Sequence, residues 1–286
     1  MILYKQIREI PEEIIKSKIN ECMIEDMPDG DKTSDPIFAD EQKTTAYFQA
    51  EEDLVLSGNI LIPHFFDNTF SIELLKKDGD FIKNGEIFAK VNGSARKILS
   101  FERTILNLMQ RMSGVATITA KYVEIAKPFA VRILDTRKTT PGLRMFEKYS
   151  VAIAGGQNHR YNLSSGVLIK DNHIKASGSI TNAINSIKSR NFGLPIEVEV
   201  ENDEQIKEAL SCGVDGLLLD NYSPDGLIKV MNLIRKQLNN SEVFVEASGG
   251  INLSNLSEYV KTGVDAISSG ALTHSVKSAN IHLEIE

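Results

Sequence analysis

Ile196-Glu197-Val198-Glu199-Val200, then Asp203 to Cys212, then Gly216-Leu217-Leu218-Leu219-Asp220 is the stretch that decides the fold of this chain. Its first piece alternates branched apolar residues with glutamates, its middle piece spaces Ile206 and Leu210 four apart, and its last piece is an unbroken apolar run ended by an acid. A period of two, then one near 3.6, then a short buried run reads as strand, helix, strand. Two strands joined through a helix lie parallel, because the helix returns the chain to the edge where it began. The alternation extends both ways. Val131 to Asp135, Gly166 to Lys170, Val243 to Glu246 and Ala266 to Ser269 are further expected strands, with helices expected at Ile180 to Arg190, Pro224 to Leu238 and Leu253 to Thr262.

Such repeats either open into a doubly wound sheet or close toward a barrel, and the polar residues favour the barrel. Asp135 and Arg137, Lys170, Glu199, Asp220, Glu246 with Ser248, and Ser268 with Ser269 fall in or at the C-terminal ends of successive strands. That is where α/β barrels assemble their sites. The last two strands run into Ser248-Gly249-Gly250 and Ser269-Gly270, small residues whose backbone N–H groups can approach a phosphate.

The first hundred residues have another texture. A helix is expected near Pro11 to Met23, β-type runs at Thr44 to Phe48 and Leu54 to Ser57, and a long helix from Glu102 to about Lys127. Asp78 to Val91 has the turn spacing of a biotinyl or lipoyl carrier hairpin but no lysine at a matching tip. The expected division is an N-terminal α/β sandwich domain over 1–110, which 276–286 can join, and an α/β barrel domain over 111–275.

Charge is distributed unevenly over the 286 residues. The net value is −7, yet Asp135 to Lys175 carries +4, which leaves −11 for the remainder. Arg137, Lys138, Arg160 and Lys170 all fall in this basic stretch, and the expected fold brings them to one barrel mouth, so an anionic small molecule is the expected ligand. Glu199 and Asp220 on neighbouring strands are a counterweight suited to Mg²⁺ or sugar hydroxyls. The basic residues are spread over strand ends without an aromatic platform, which speaks against a nucleic-acid surface. Apolar runs are too short to cross a bilayer, and a cytoplasmic location is expected. Cys22 and Cys212 show neither disulfide nor zinc spacing.

Eight strings in order make the reading specific: Glu102-Arg103-Thr104, Asp135 to Gly142, Asn158-His159-Arg160, Leu168 to His173, Glu197 to Glu201, Leu219-Asp220-Asn221, Glu246 to Ile251, and Gly270 to Ser275. Together they resemble the quinolinate phosphoribosyltransferases over essentially the whole chain. The resemblance implies an incomplete, TIM-like α/β barrel with a smaller N-terminal α/β sandwich domain. It also implies a homodimer, with assembly beyond the dimer left open, in which Arg103 enters the neighbouring site. By the same resemblance Arg103, Arg137, His159, Arg160 and Lys170 hold quinolinate. Lys138, Glu199 and Asp220 handle phosphoribosyl pyrophosphate and its Mg²⁺, the metal held partly through water or substrate. Ser248, Gly249, Gly250, Ser269 and Gly270, backed by His274, seat the 5-phosphate. Lys138, Lys170, Glu199 and Asp220 are the implied catalytic residues, and neither nucleic acid nor membrane is an implied partner. Two stretches depart from the family pattern, Glu25 to Thr33 and Tyr161 to Ser165. A Schiff-base aldolase using Lys170 is the rival from another enzyme class.

Overall fold

The computed structural model describes residues 4–39, 41–237 and 243–286. In chain order the first elements are α1 (Glu12–Asp26), α2 (Ser34–Ile37), β1 (Lys43–Ala50), β2 (Leu54–Val55), β3 (Ser71–Leu74), β4 (Phe81–Ile82), β5 (Ile87–Ser94), α3 (Ala95–Ala126) and β6 (Arg132–Leu134). There follow α4 (Arg144–Ile153), β7 (Val167–Ile169), α5 (Asp171–Ser177), α6 (Ile180–Lys188), β8 (Ile196–Val200), α7 (Asp203–Ser211) and β9 (Gly216–Asp220). The last are α8 (Pro224–Gln237), β10 (Phe244–Ser248), α9 (Leu256–Tyr259), β11 (Ala266–Ser268), α10 (Ala271–His274) and β12 (Ile281–Ile285). Contacts divide the chain into two units. One holds the residues up to Gln6 with Lys121–Thr140 and Gly156–His274; the other holds Ile7–Ala120, Pro141–Gly155 and Ser275–Glu286.

The first unit is built on a parallel sheet in the order β6-β11-β10-β9-β8-β7. Register sets its two faces. Val198 pairs with Leu217 and Leu217 with Val245, and these buried side chains share one face; Ile184, Ile206 and Leu227 of the helices α6, α7 and α8 are buried as well, and α7 contacts β8. The opposite face carries Glu197, Glu199, Leu218, Glu246 and Arg132, and one step further along it Asp220 pairs with Ser248. So one face is a packed apolar layer and the other an array of charged groups, as expected of a barrel lumen. The end strands β6 and β7 are not paired with each other among the described residues, and β6 instead takes Gln157 in a single bridge. The sheet is open, in keeping with an incomplete barrel.

The second unit carries an antiparallel sheet in the order β12-β1-β5-β3 and a small β2-β4 pair. Along β1, Ala46, Phe48 and Ala50 are buried in alternation, the pattern of a strand with one face on a core. Gly79 and Gly85 turn the chain at φ 93° and 82°, where a side chain would be strained. The strands β4 and β5 joined by the second turn belong to different sheets, so Asp78 to Val91 is no free carrier hairpin.

Several elements differ in extent from the sequence expectation by a few residues, and two helices differ most. The long helix starts at Ala95, seven residues before Glu102. The helix expected at Leu253 to Thr262 is only Leu256–Tyr259, because Asn252 and Asn255 spend their side-chain amides on the Gly250 carbonyl at 3.3 and 3.1 Å. Leu238, the expected end of α8, lies outside the described residues. No described helix is long and apolar enough to cross a membrane.

Candidate active site

The cationic part of the site begins where β6 ends. Asp135 is fully buried, accepting the Asn158 Nδ2–H bond at 2.7 Å and the His159 backbone N–H bond at 2.8 Å. This carboxylate ties the strand end to the Asn158-His159-Arg160 segment. Arg160 is almost wholly buried, and its Nη1 donates to the Gly166 carbonyl at 3.0 Å. Burial, with Arg137 beside it, pushes the Arg160 guanidinium below its ordinary value. The Nε of Arg137 is itself buried with no hydrogen-bond acceptor among the described residues. Two guanidinium groups close enough to repel, one with a buried Nε donor, concentrate positive charge and forked donors of the kind that suit an anion.

Lys170, Glu199 and Asp220 come from the ends of three adjacent strands. Lys170 Nζ lies 2.8 Å from Glu199 Oε2, and Asp220 Oδ2 accepts from Asn221 Nδ2 at 2.6 Å. The Asp220 carboxyl is raised above its usual range by burial and then by Glu199, while Lys170 and Lys138 pull it down. The carboxylate oxygens of Glu199 and Asp220, on adjacent strands, are of the hard donor type that can hold a divalent cation.

Both glycine-rich turns are built closely. Gly249 has φ 96°, and a Cβ on it would lie 2.2 Å from Asn221 Oδ1, so no other residue fits. A Cβ on Gly270 would meet the His274 imidazole at 2.7 Å and Lys138 Cδ at 2.9 Å. His274, Gly270 and the Lys138 side chain are thus mutual neighbours, and Thr273 Oγ1 fixes the Lys138 carbonyl at 2.7 Å. The Ser269 hydroxyl turns inward to the Ile251 carbonyl at 2.7 Å and locks one loop to the other. Ser248 and Gly250 remain on the turn, with open space over Gly250. Of the expected site residues, the structure gathers all but Arg103 in the parallel-sheet unit. Arg103 is exposed on α3, in the other unit.

The sequence reading missed a buried cluster on the same sheet face. His159 Nε2 lies 3.2 Å from Glu197 Oε2 and 3.7 Å from Glu246 Oε2, and the Tyr4 hydroxyl donates to Glu197 Oε2 at 3.1 Å. His, Glu and Glu within 4.8 Å of one another have the composition of a metal site. However, His159 Nδ1 accepts the Arg160 backbone N–H at 2.7 Å, which leaves the ring proton on Nε2. A protonated Nε2 donates toward the carboxylates and cannot ligate a cation. The signal in the sequence was Glu197, the first glutamate of the Ile196 to Val200 alternation, whose partners lie far away in the chain.

The sequence matches the N-terminal domain of quinolinate phosphoribosyl transferase over residues 31–113 and its C-terminal domain over 115–284. The chain belongs to the quinolinate phosphoribosyltransferase family. A probable nicotinate-nucleotide pyrophosphorylase (carboxylating) of Bacillus subtilis is 43% identical over 95% of this chain and 93% of its own length. The chloroplastic nicotinate-nucleotide pyrophosphorylase (carboxylating) of Arabidopsis thaliana is 40% identical over 90% of this chain and 78% of its own. Among solved structures, the nicotinate-nucleotide pyrophosphorylase of Francisella tularensis superposes with a TM-score of 0.92 at 34% identity, covering 99% of both chains.

Proposed function

We propose that the chain converts quinolinate and phosphoribosyl pyrophosphate into nicotinate mononucleotide, CO₂ and pyrophosphate, the carboxylating nicotinate-nucleotide pyrophosphorylase reaction of NAD biosynthesis. The observation that carries this reading is the close Arg137 and Arg160 pair, with the buried Nε donor of Arg137, beside the Lys170, Glu199 and Asp220 cluster. Arg137, Arg160 and Lys170, with His159 at their base, hold the dicarboxylate, and Arg103 from a second copy of the chain completes the pocket in a homodimer.

The chemistry follows from placement. Fixed cations orient the pyridine so that its nitrogen faces the anomeric carbon; the new C–N bond forms as the bond to pyrophosphate breaks. Lys138 stands beside the departing oxygens, and the Gly249-Gly250 and Gly270 turns hold the 5-phosphate through backbone N–H groups. Glu199 and Asp220 would hold Mg²⁺, which supplies neutralisation of the pyrophosphate charge when bound. In the alkylated ring the carbon next to nitrogen can keep the electron pair of the breaking C–C bond, so the 2-carboxylate leaves as CO₂ and a proton takes its place. No side chain acts as a nucleophile in this sequence, and Lys170 serves as a cation.

The purified protein, given quinolinate, phosphoribosyl pyrophosphate and Mg²⁺, is expected to release CO₂ and pyrophosphate in equal amounts. Turnover of nicotinate in place of quinolinate would overturn the assignment, and a borohydride-trapped adduct on Lys170 would replace it with aldolase chemistry.

A further inference from the structure

Asn158-His159-Arg160 lies in a stretch without regular structure, between the Gln157 bridge and β7. The ladder to β6 ends at Gln157, whose N–H reaches the Ile133 carbonyl at 2.8 Å. Each following backbone N–H is instead taken by a side chain. Asn158 N–H donates to Gln6 Oε1 at 2.7 Å, His159 N–H to Asp135 Oδ1, and Arg160 N–H to His159 Nδ1. Gln6 Nε2 returns a bond to the Asn158 carbonyl at 3.3 Å and another to the Tyr4 carbonyl at 2.9 Å. The Tyr4 ring stacks on the imidazole with centroids 4.6 Å apart at 27°, and a Cβ on Gly166 would be 2.5 Å from its Cε1. Tyr4 also packs on Leu134 at the end of β6, Phe244 at the start of β10 and Ala266 at the start of β11.

We infer that Tyr4 and Gln6 are positioning residues for the quinolinate pocket: the N-terminal segment sets the place of His159 and, through it, of Arg160. The two residues act at different atoms. Gln6 clamps the backbone of Asn158 from one side while Asp135 holds the other. Tyr4 fixes the plane of the imidazole by stacking and ties Glu197 to it by its hydroxyl, so Nε2 keeps its aim at the carboxylates. Nδ1 is then held where the Arg160 N–H finds it, and the guanidinium emerges beside Arg137. A displacement of this segment misplaces a forked donor whose fit to a carboxylate depends on angle as well as distance.

This inference rests on the proposed reading of Arg160 as a quinolinate ligand, so the experiment includes that residue. Kinetic constants for both substrates and melting temperatures are measured for the full chain and for Tyr4→Leu, Tyr4→Phe, Gln6→Ala, Gln6→Glu and Arg160→Ala. Tyr4→Leu and Gln6→Ala are expected to raise KM for quinolinate by about tenfold or more, leaving KM for phosphoribosyl pyrophosphate within about twofold. Tyr4→Phe, which keeps the stacked ring, is expected to recover most of the loss. Gln6→Glu, which keeps the acceptor for Asn158 N–H and loses the donor, should fall between. An unchanged quinolinate KM in both Tyr4→Leu and Gln6→Ala, while Arg160→Ala raises it, overturns the inference and spares the site. An unchanged quinolinate KM in Arg160→Ala removes the reading on which both stand. Equal losses for both substrates tracking a lowered melting temperature would reduce Tyr4 and Gln6 to ordinary packing, and Tyr4→Phe with Gln6→Glu gives that comparison if the larger truncations do not fold.

Discussion

Glu246 is a carboxyl with no exposed surface in the middle of a strand, facing Glu197 and His159. Burial first, then the Glu197 charge, pushes it up to about 7, against the opposing pull of His159, the Ser268 hydroxyl and Arg132. The consequence for stability has a definite sign. Below about 4.5 the group is protonated in both folded and unfolded chains; as pH rises toward about 7 the unfolded chain releases a proton that the folded one retains. The contribution is therefore full at low pH and is lost across that window. Glu246→Gln, which mimics the protonated form, is expected to flatten the fall, and thermal melts of both proteins from pH 4.5 to 7.5 measure it. Melting curves that shift in parallel at every pH would show that Glu246 is not the titrating group. The tyrosine sharing this cluster is also raised, by burial and the two glutamates, so its hydroxyl stays a donor throughout the range.

At the scale of elements, the turns after β10 and β11 are the most restrictive pieces of the site. Gly249→Ala combines a φ of 96° with a clash on Asn221, a neighbour held at φ 58°. Strain of this kind costs on the order of 1–3 kcal/mol. The expected result is a KM for phosphoribosyl pyrophosphate raised about tenfold or more, since 1.4 kcal/mol corresponds to a factor of ten, with a smaller change for quinolinate. Adding Asn221→Gly should recover part of the loss by removing the clashing side chain; no recovery would place the defect in the backbone strain alone. These elements also show what the sequence made legible. The strands at 196–200 and 216–220 were readable to the residue, because a strict period of two and a short apolar run ended by an acid, each flanked by helical spacing, have few alternatives. The Gly249-Gly250 turn was readable by its composition. The length of α9 was not, since it depends on which carbonyl the Asn252 and Asn255 amides choose, and such local competition leaves no periodic trace. Tyr4, Gln6 and Glu197 were invisible as a group for a different reason. Tyr4 and Glu197 are 193 positions apart, and only the closed set of bonds around His159 gives them a shared task.

At the scale of the molecule, the exposed Arg103 of α3 is the one expected site residue outside the parallel-sheet unit. If it serves a neighbour's pocket, Arg103→Ala and Lys170→Ala homodimers are each nearly inactive. Random exchange between them then restores about a quarter of the wild-type rate, because half the dimers are mixed and each holds one intact site of two. Confirmed exchange without recovery would place Arg103 and Lys170 in the same chain's site, or outside it. The ion pair of half-buried Arg111 with fully buried Glu147, at 2.6 Å, belongs to the same unit as Arg103 and joins α3 to α4 there. Nothing in the helical spacing of Arg144–Ile153 announces that this helix packs with the antiparallel unit, although strands of the other unit stand on both sides of it in sequence.

The strand β12 pairs residue for residue with β1, from Ile285 against Ala46 to Ile281 against Ala50, while Tyr4 to Gln6 lie in the unit of the parallel sheet. The segment Tyr4 to Gln6 and the strand β12 are therefore each built into the unit that most of their own half of the sequence does not form. A gene cut between residues 113 and 115, where the two family domains meet, would yield one fragment without an outer strand and another without the tyrosine stacked on His159. Neither half is a free-standing part, and a split version of this protein would work only by fragment complementation.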